Sequence, residues 1–179
     1  MNELNLTIDN HFVSNAQLLF DRLLREVQWD ERMQARKTAS FGVPYNYSGI
    51  SYPFQPMPKI LLPLVKDIEA RFNYRPNNCL INYYDNGESK MGFHSDAIEN
   101  LADNTGVIIV SLGAERAISF QNKHDKSIER EIWLTSGSLL LMSQEVQKHW
   151  KHAILKHKEI EDGRISLTFR LFAGESSEQ

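Results

Sequence analysis

The chain has 179 residues, 41% of them hydrophobic and 10% aromatic, with a formal net charge of -3 and a sequence pI near 6.1; that is enough sequence for one domain around a single large core. No apolar run approaches the roughly 18 residues that a membrane-crossing helix needs, and the first residues, Met1 to Thr7, lack the basic-then-apolar pattern of a secretory signal. The single cysteine, Cys79, excludes an intramolecular disulfide, so a reducing compartment, the cytoplasm, is expected.

In chain order, Ser14 is placed to cap an amphipathic helix running to about Gln28, with Leu18, Leu19, Phe20, Leu23, Leu24 and Val27 on its buried side. The stretch from Arg36 to Met57 mixes aromatic, polar, glycine and proline residues too irregularly for one regular element. A second helix is expected from about Pro58 to Phe72, with Pro58 near its first turn. The pattern then changes to short strands at Cys79 to Tyr84, Gly106 to Leu112, Arg116 to Gln121, Glu129 to Leu134, Ser138 to Met142 and Ile165 to Phe172. Turn residues separate them, at Asp85 to Gly87, Gly113, Asn122 to Lys126, and Ser136 and Gly137, and residues 174–179 read as a tail. Two helices followed by six or more strands imply an α+β, mainly β fold: a double-layered β structure with helices on one face, forming one domain over residues 1–179.

The chemistry concentrates in His94, Asp96 and His152. Two imidazoles and a carboxylate, the first pair two residues apart and the third partner 56 residues beyond Asp96, match the 2-His-1-carboxylate set that occupies one face of an iron(II) ion. Such a set leaves coordination positions open, so it suits oxygen activation better than structural stapling. His-x-Asp alone is a weak signal. Its weight comes from the segment ten residues beyond His152, where Arg164, Ser166, Thr168 and Arg170 share parity on one strand and therefore one face. Two arginines on an inward face call for a dianion, and a dicarboxylate such as 2-oxoglutarate would satisfy both guanidinium groups. The bland alternative is the wetted face of an edge strand. His149, three residues before His152, competes for the distal ligand position, whereas His124 and His157 sit in charged loops and His11 has no partner nearby.

The residues Asn82 to Tyr84, His94 to Asp96, Trp150 to His152 and Arg164 to Arg170, in this order and spacing, resemble the AlkB family of iron(II)- and 2-oxoglutarate-dependent dioxygenases. The likeness runs from Arg36 to Phe172. It implies a double-stranded β-helix (jelly-roll) core supported by the N-terminal helices, and it favours His152 over His149 as a ligand of iron. It further implies that Asn82 and Arg170 meet the C1 end of 2-oxoglutarate, and that Tyr84 and Arg164 hold the distal carboxylate. Ser166 stands where several relatives carry asparagine. The activity implied is oxidative demethylation of N-alkylated nucleobases of the 1-methyladenine and 3-methylcytosine type in DNA or RNA, consuming O2 and releasing formaldehyde, succinate and CO2. The alternative is the same chemistry on a protein, lipid or small molecule.

Residues 36–57 resemble the recognition lid of AlkB proteins that act on nucleic acid, where Phe41, Tyr45, Tyr47 and Ser48 would line the base pocket. Aromatic rings beside basic residues suit a base held by stacking; the competing reading makes these rings part of the core. Arg32, Arg36 and Lys37 form one basic group, and Lys148, Lys151, Lys156, His157 and Lys158 another. Many nucleic-acid demethylases carry an acid two residues beyond the iron aspartate, and here that position is Ile98, followed by Glu99. The expected partner is alkylated nucleic acid, with no membrane and a monomeric protein.

Overall fold

The computed structural model describes residues 3–47 and 49–174. Among these residues, two antiparallel sheets face each other and helices cover the back of the larger one. The larger sheet contains β1 (Leu6–Asp9), β2 (Lys37–Gly42), β5 (Asn78–Tyr84), β7 (Val107–Gly113), β10 (Leu139–Met142) and β12 (Arg164–Arg170), in the order β1-β10-β7-β12-β5-β2. The smaller contains β6 (Met91–His94), β8 (Arg116–Asn122), β9 (Glu129–Leu134) and β11 (Trp150–Ile154), in the order β6-β11-β8-β9. A separate hairpin joins β3 (Tyr45–Tyr47) to β4 (Ile50–Tyr52). This layering is consistent with the double-stranded β-helix core expected from the sequence.

The alternation along β12 fixes both layers, because side chains of opposed residues in a sheet share a face. Ile165, Leu167 and Phe169 lie opposite Tyr83, Ile81 and Cys79 on one side and Leu112, Val110 and Ile108 on the other. Most of these join a core with Leu23, Leu61, Leu64, Val65 and Ile68 from the helical layer. The alternate residues Arg164, Ser166, Thr168 and Arg170 face the smaller sheet, and all are buried. β12 lies between β5 and β7, so the wetted-edge reading of the arginine face does not hold. A second core fills the space between the sheets, with Val107, Ile109, Leu140 and Met142 from the larger sheet meeting Ile118, Phe120, Leu134 and Ile154 from the smaller.

The first helix, α1, spans Ala16–Glu26 with Asn15 at its N-cap and no side-chain cap bond, so Ser14 does not cap it. Leu18 and Leu24 are 59% and 37% exposed, against expectation. The buried stripe is Ala16, Leu19, Phe20, Leu23 and Val27, whose three- and four-residue spacing excludes both leucines from the sheet-facing side. The second helix matches expectation: a 3-10 turn, Lys59–Leu61, leads into α2 (Leu62–Phe72), which stops at Asn73 in the left-handed conformation.

The irregular-looking stretch from Arg36 onward holds β2, β3 and β4. β2 pairs with β5 as the last strand of the larger sheet, and its free edge is covered by bridges from Asp30 to Thr38 and from Gln55 to Gly42. Gly42 turns the chain out of β2 with φ 86°, and a Cβ there would collide with the Asn77 carbonyl. Only glycine tolerates both demands, and that turn swings the β3–β4 hairpin over the site.

Candidate active site

His94 and His152 are brought together by strand pairing. β6 lies antiparallel to β11 with His94 directly opposite His152, and their ring centroids are 4.3 Å apart. β6 ends at His94, and the Ser95 hydroxyl donates to the Trp150 carbonyl at 2.7 Å, so the chain leaves the sheet with Asp96 turned inward. His94 Nε2 lies 3.7 Å from Asp96 Oδ1 and His152 Nε2 lies 3.8 Å from Asp96 Oδ2. One ligand atom from each residue falls within 4.8 Å of the others, a convergence suited to one metal ion.

Protonation supports that use. The Gly92 carbonyl lies 2.8 Å from His94 Nδ1. A carbonyl only accepts, so Nδ1 carries the proton and Nε2 keeps its lone pair for a metal. Burial holds the His152 pKa down to about 4, against a partial opposing pull from Asp96, so this ring is neutral at pH 7. Burial pushes the Asp96 carboxyl up, but Arg170, His152 and His94 together outweigh it and hold the group below the usual carboxylate range. Two imidazoles, with Nε2 of each lying beside Asp96, and one carboxylate are the donor types iron(II) takes.

Two further residues, Gln147 and Arg36, reach the site from distant parts of the sequence. Gln147, on the short helix α3 (Gln144–His149), is buried and grips Asp96: its Oε1 accepts from the Asp96 amide at 2.8 Å, and its Nε2 donates to Asp96 Oδ2 at 3.4 Å. Its helix was legible, with Ser143 as N-cap, Glu145 in the first turn, and Lys148 and His149 in the last. Arg36 belongs to the site instead of an exposed basic group. It is buried, donates from Nε to Asn82 Oδ1 at 2.8 Å and from Nη1 to the Lys90 carbonyl at 3.0 Å, and bonds the Tyr47 hydroxyl through Nη2. Because guanidinium only donates, Asn82 must present its oxygen to Arg36, which leaves the amide N–H groups for an anion.

The arginine face of β12 suits a bound dianion. Arg170 Nη2 lies 3.2 Å from Asp96 Oδ1, while its Nε and Nη1 are buried with no partner among the described residues. Arg164 donates from Nη2 to Ser111 Oγ at 2.9 Å, and its Nε and Nη1 are likewise buried and unpartnered. The Tyr84 ring sits between Arg164 and Arg116, at 5.3 and 5.6 Å. Arg116 spends its donors on the carbonyls of Asn86, Ser89 and Leu155, and among the described residues neither Arg116 nor Arg164 pairs with a carboxylate. Buried cationic donors without acceptors are costly, and a dicarboxylate bound along this face would satisfy them. Ser166 is buried opposite Asn82 and Ser111, with less reach than the asparagine of several relatives.

The lid residues divide. Tyr45 and Tyr47 stack at 6.1 Å and 20°, and Tyr45 also covers Arg170 at 5.0 Å and meets Phe172 at 5.5 Å. With Arg36, Met91, His94 and Asp96 they line an open cleft of about 390 Å³. Burial pushes the Tyr47 phenol up to about 12, despite Arg36, so it stays protonated and donates to Met91 Sδ at 3.1 Å. Phe41 points away. It lies opposite Cys79 and packs into the helix-side core, since parity on β2 puts odd-numbered residues on that face. Ser48 lies outside the described residues. Ile98 packs against the core between the sheets.

The basic groups are largely neutralised. Arg32 pairs with Asp30, Lys37 with Glu31 and Asp85, Lys148 with Glu145, Lys156 with Glu88, and His157 with Glu159.

The family profile of the 2OG-Fe(II) oxygenase superfamily matches residues 9–170. The chain is 31% identical over 179 residues to "Alpha-ketoglutarate-dependent dioxygenase alkB homolog 3" of Bos taurus, with 88% of this chain and 62% of that protein covered. It is 31% identical over 145 residues to "DNA oxidative demethylase ALKBH2" of Homo sapiens, covering 75% of this chain and 56% of the other. It thus spans about three fifths of the length of these curated relatives. The solved structure described as "The structure of OsALKBH1" superposes with a TM-score of 0.67 at 16% identity, over 95% of this chain and 99% of that one. The chain belongs to the 2OG-Fe(II) oxygenase superfamily, within which these relatives are AlkB homologues, and its donor set fits the iron(II), 2-oxoglutarate and dioxygen that this superfamily uses.

Proposed function

We propose that this chain is an oxidative demethylase of N-alkylated nucleobases, of the 1-methyladenine or 3-methylcytosine type, in DNA or RNA. The observation that carries the reading is one continuous arrangement: His94, Asp96 and His152 converge between the buried arginine face of β12 and the stacked tyrosines of the β3–β4 hairpin. The printed names of the relatives, one of them a DNA oxidative demethylase, support the same substrate class.

In this reading His94, Asp96 and His152 hold iron(II), Arg170 and the Asn82 amide take the C1 end of 2-oxoglutarate, and Arg164 with Tyr84 takes the distal carboxylate. When bound, iron(II) with 2-oxoglutarate and dioxygen supplies the oxidising power that hydroxylates an N-methyl group, so that formaldehyde, succinate and CO2 leave. The protein's own part is positional. Gln147 sets the Asp96 carboxylate. Arg36 ties Asn82 to Tyr47, linking the co-substrate pocket to the lid. Tyr45 and Tyr47 offer ring faces on which a base taken out of its stack can rest. Tyr45 also shields Arg170 from water, which strengthens the electrostatic grip of that guanidinium.

The same chemistry on a protein, lipid or small molecule is the second reading. Ile98 in the core supports it, because no acid stands there to meet an exocyclic base nitrogen, and so do the paired surface cations. We further propose a monomer in the cytoplasm, a placement supported by the single, buried Cys79. Incubating the iron-loaded protein with a panel of methylated oligonucleotides, and reading the bases by mass spectrometry, tests the reading. Loss of one methyl mass from 1-methyladenine or 3-methylcytosine is expected. An unchanged panel, with uncoupled succinate formation intact, turns the assignment to the second reading.

A further inference from the structure

We propose a second divalent-metal site, separate from the iron site, held by His124 and His149. His124 lies in the turn between β8 and β9, and His149 closes α3. Their nitrogens Nε2 and Nδ1 face each other at 3.3 Å, with ring centroids 5.6 Å apart. Two imidazole nitrogens bound at the usual zinc distance of about 2.0–2.1 Å, in tetrahedral geometry, stand about 3.3 Å from one another. The pair therefore already has the bite of a chelate, and imidazole donors suit zinc, nickel and copper.

The surroundings are those of a prepared site. Glu145 Oε2 lies 3.4 Å from His149 Nε2. A carboxylate there draws the ring proton to Nε2 and leaves the Nδ1 lone pair facing His124, as in carboxylate–histidine–metal arrangements. Lys148 fixes that carboxylate through Glu145 Oε1 at 2.7 Å. The backbone positions of the two histidines are also set: the Lys123 amide donates to the His149 carbonyl at 2.9 Å, and Asn122 Oδ1 accepts from the His124 amide at 2.8 Å. Both rings reach the surface, so water can complete the coordination. A hydrogen bond between two neutral rings would give the same separation, and metal titration separates the two cases. The site would brace the helix that carries Gln147, and hence Asp96, against the β8–β9 turn.

Titration of the full chain with Zn²⁺ alone, followed by native mass spectrometry and calorimetry, is the test. The wild type should take two equivalents, and His124→Ala and His149→Ala one each. His94→Ala combined with His152→Ala should keep the equivalent that those two variants lose, and adding His149→Ala to that pair should leave none. Glu145→Gln should still bind at the second site, about 10–100-fold more weakly, as loss of an outer carboxylate commonly produces. Both histidines are at the surface, so unchanged thermal midpoints of the metal-free variants would exclude misfolding as the cause. A His94→Ala, His152→Ala double variant that takes no zinc, or a His124→Ala or His149→Ala variant that takes as much zinc as the wild type, overturns the site.

Discussion

Gln147 holds Asp96 with both atoms of its amide, accepting from the Asp96 backbone N–H at 2.8 Å and donating to its Oδ2 at 3.4 Å. The carboxylate is therefore aimed by a residue 51 positions away in sequence, on a helix that His94, Asp96 and His152 do not occupy. Replacing Gln147 by leucine keeps the volume approximately and removes both bonds. Iron affinity should fall by about 10–100-fold, the usual cost of losing an outer partner of a metal ligand, while saturating iron restores much of the rate. Cobalt(II) titration followed by its visible absorption measures the change; an unaltered affinity would show that Asp96 needs no support.

The co-substrate pocket gives a second expectation. Removing Arg164 takes away a buried guanidinium whose Nε and Nη1 have no partner among the described residues. Truncating one member of a buried charge pair costs about 2–5 kcal/mol. In Arg164→Met the 2-oxoglutarate concentration for half-maximal turnover should therefore rise roughly thirtyfold or more. An unchanged requirement would place the dicarboxylate elsewhere.

The two lid tyrosines should behave differently. Tyr47→Leu removes a stacking face worth about 1–3 kcal/mol per base and should weaken oligonucleotide binding while uncoupled succinate formation persists. Tyr45→Leu also uncovers Arg170, so it should weaken 2-oxoglutarate use as well. Equal losses in coupled and uncoupled turnover for Tyr47→Leu would make that ring a core residue. Phe41→Leu, on the helix side of β2, should lower stability with little effect on either rate, as read by thermal melting beside the two assays.

The distribution of these residues explains what the sequence could reveal. The convergence of His94, Asp96 and His152 is legible because metal chemistry restricts residue types, and the shared face of Arg164 and Arg170 is legible because strand parity is local. Gln147 and Arg36 act through partners 51 and 46 residues away, and nothing local distinguishes them from an ordinary amide and a surface cation. Phe41 is expected in the base pocket from its place in an aromatic stretch, but the pairing of β2 with β5 decides which face its ring takes. Leu18 and Leu24 were placed inside because hydrophobicity was read without the angular width of the stripe that the sheet can cover. β6 and β11 were missed because each is short and carries polar ligands where a strand pattern expects apolar residues.

The competing histidine gives a fourth expectation. His149 stands beside His124 and Glu145 instead of the triad, so His149→Ala should retain most substrate oxidation. A loss as complete as that of His152→Ala would reassign the distal ligand.

The central claim is that His94, Asp96 and His152 hold the iron that oxidises a methylated base, and coupled product formation tests it most directly. With iron(II), 2-oxoglutarate and an oligonucleotide carrying 1-methyladenine, the wild type should release formaldehyde and succinate in equal amounts. Asp96→Ala, still folded by circular dichroism, should release neither above background. Equal release by the wild type and Asp96→Ala would contradict the claim.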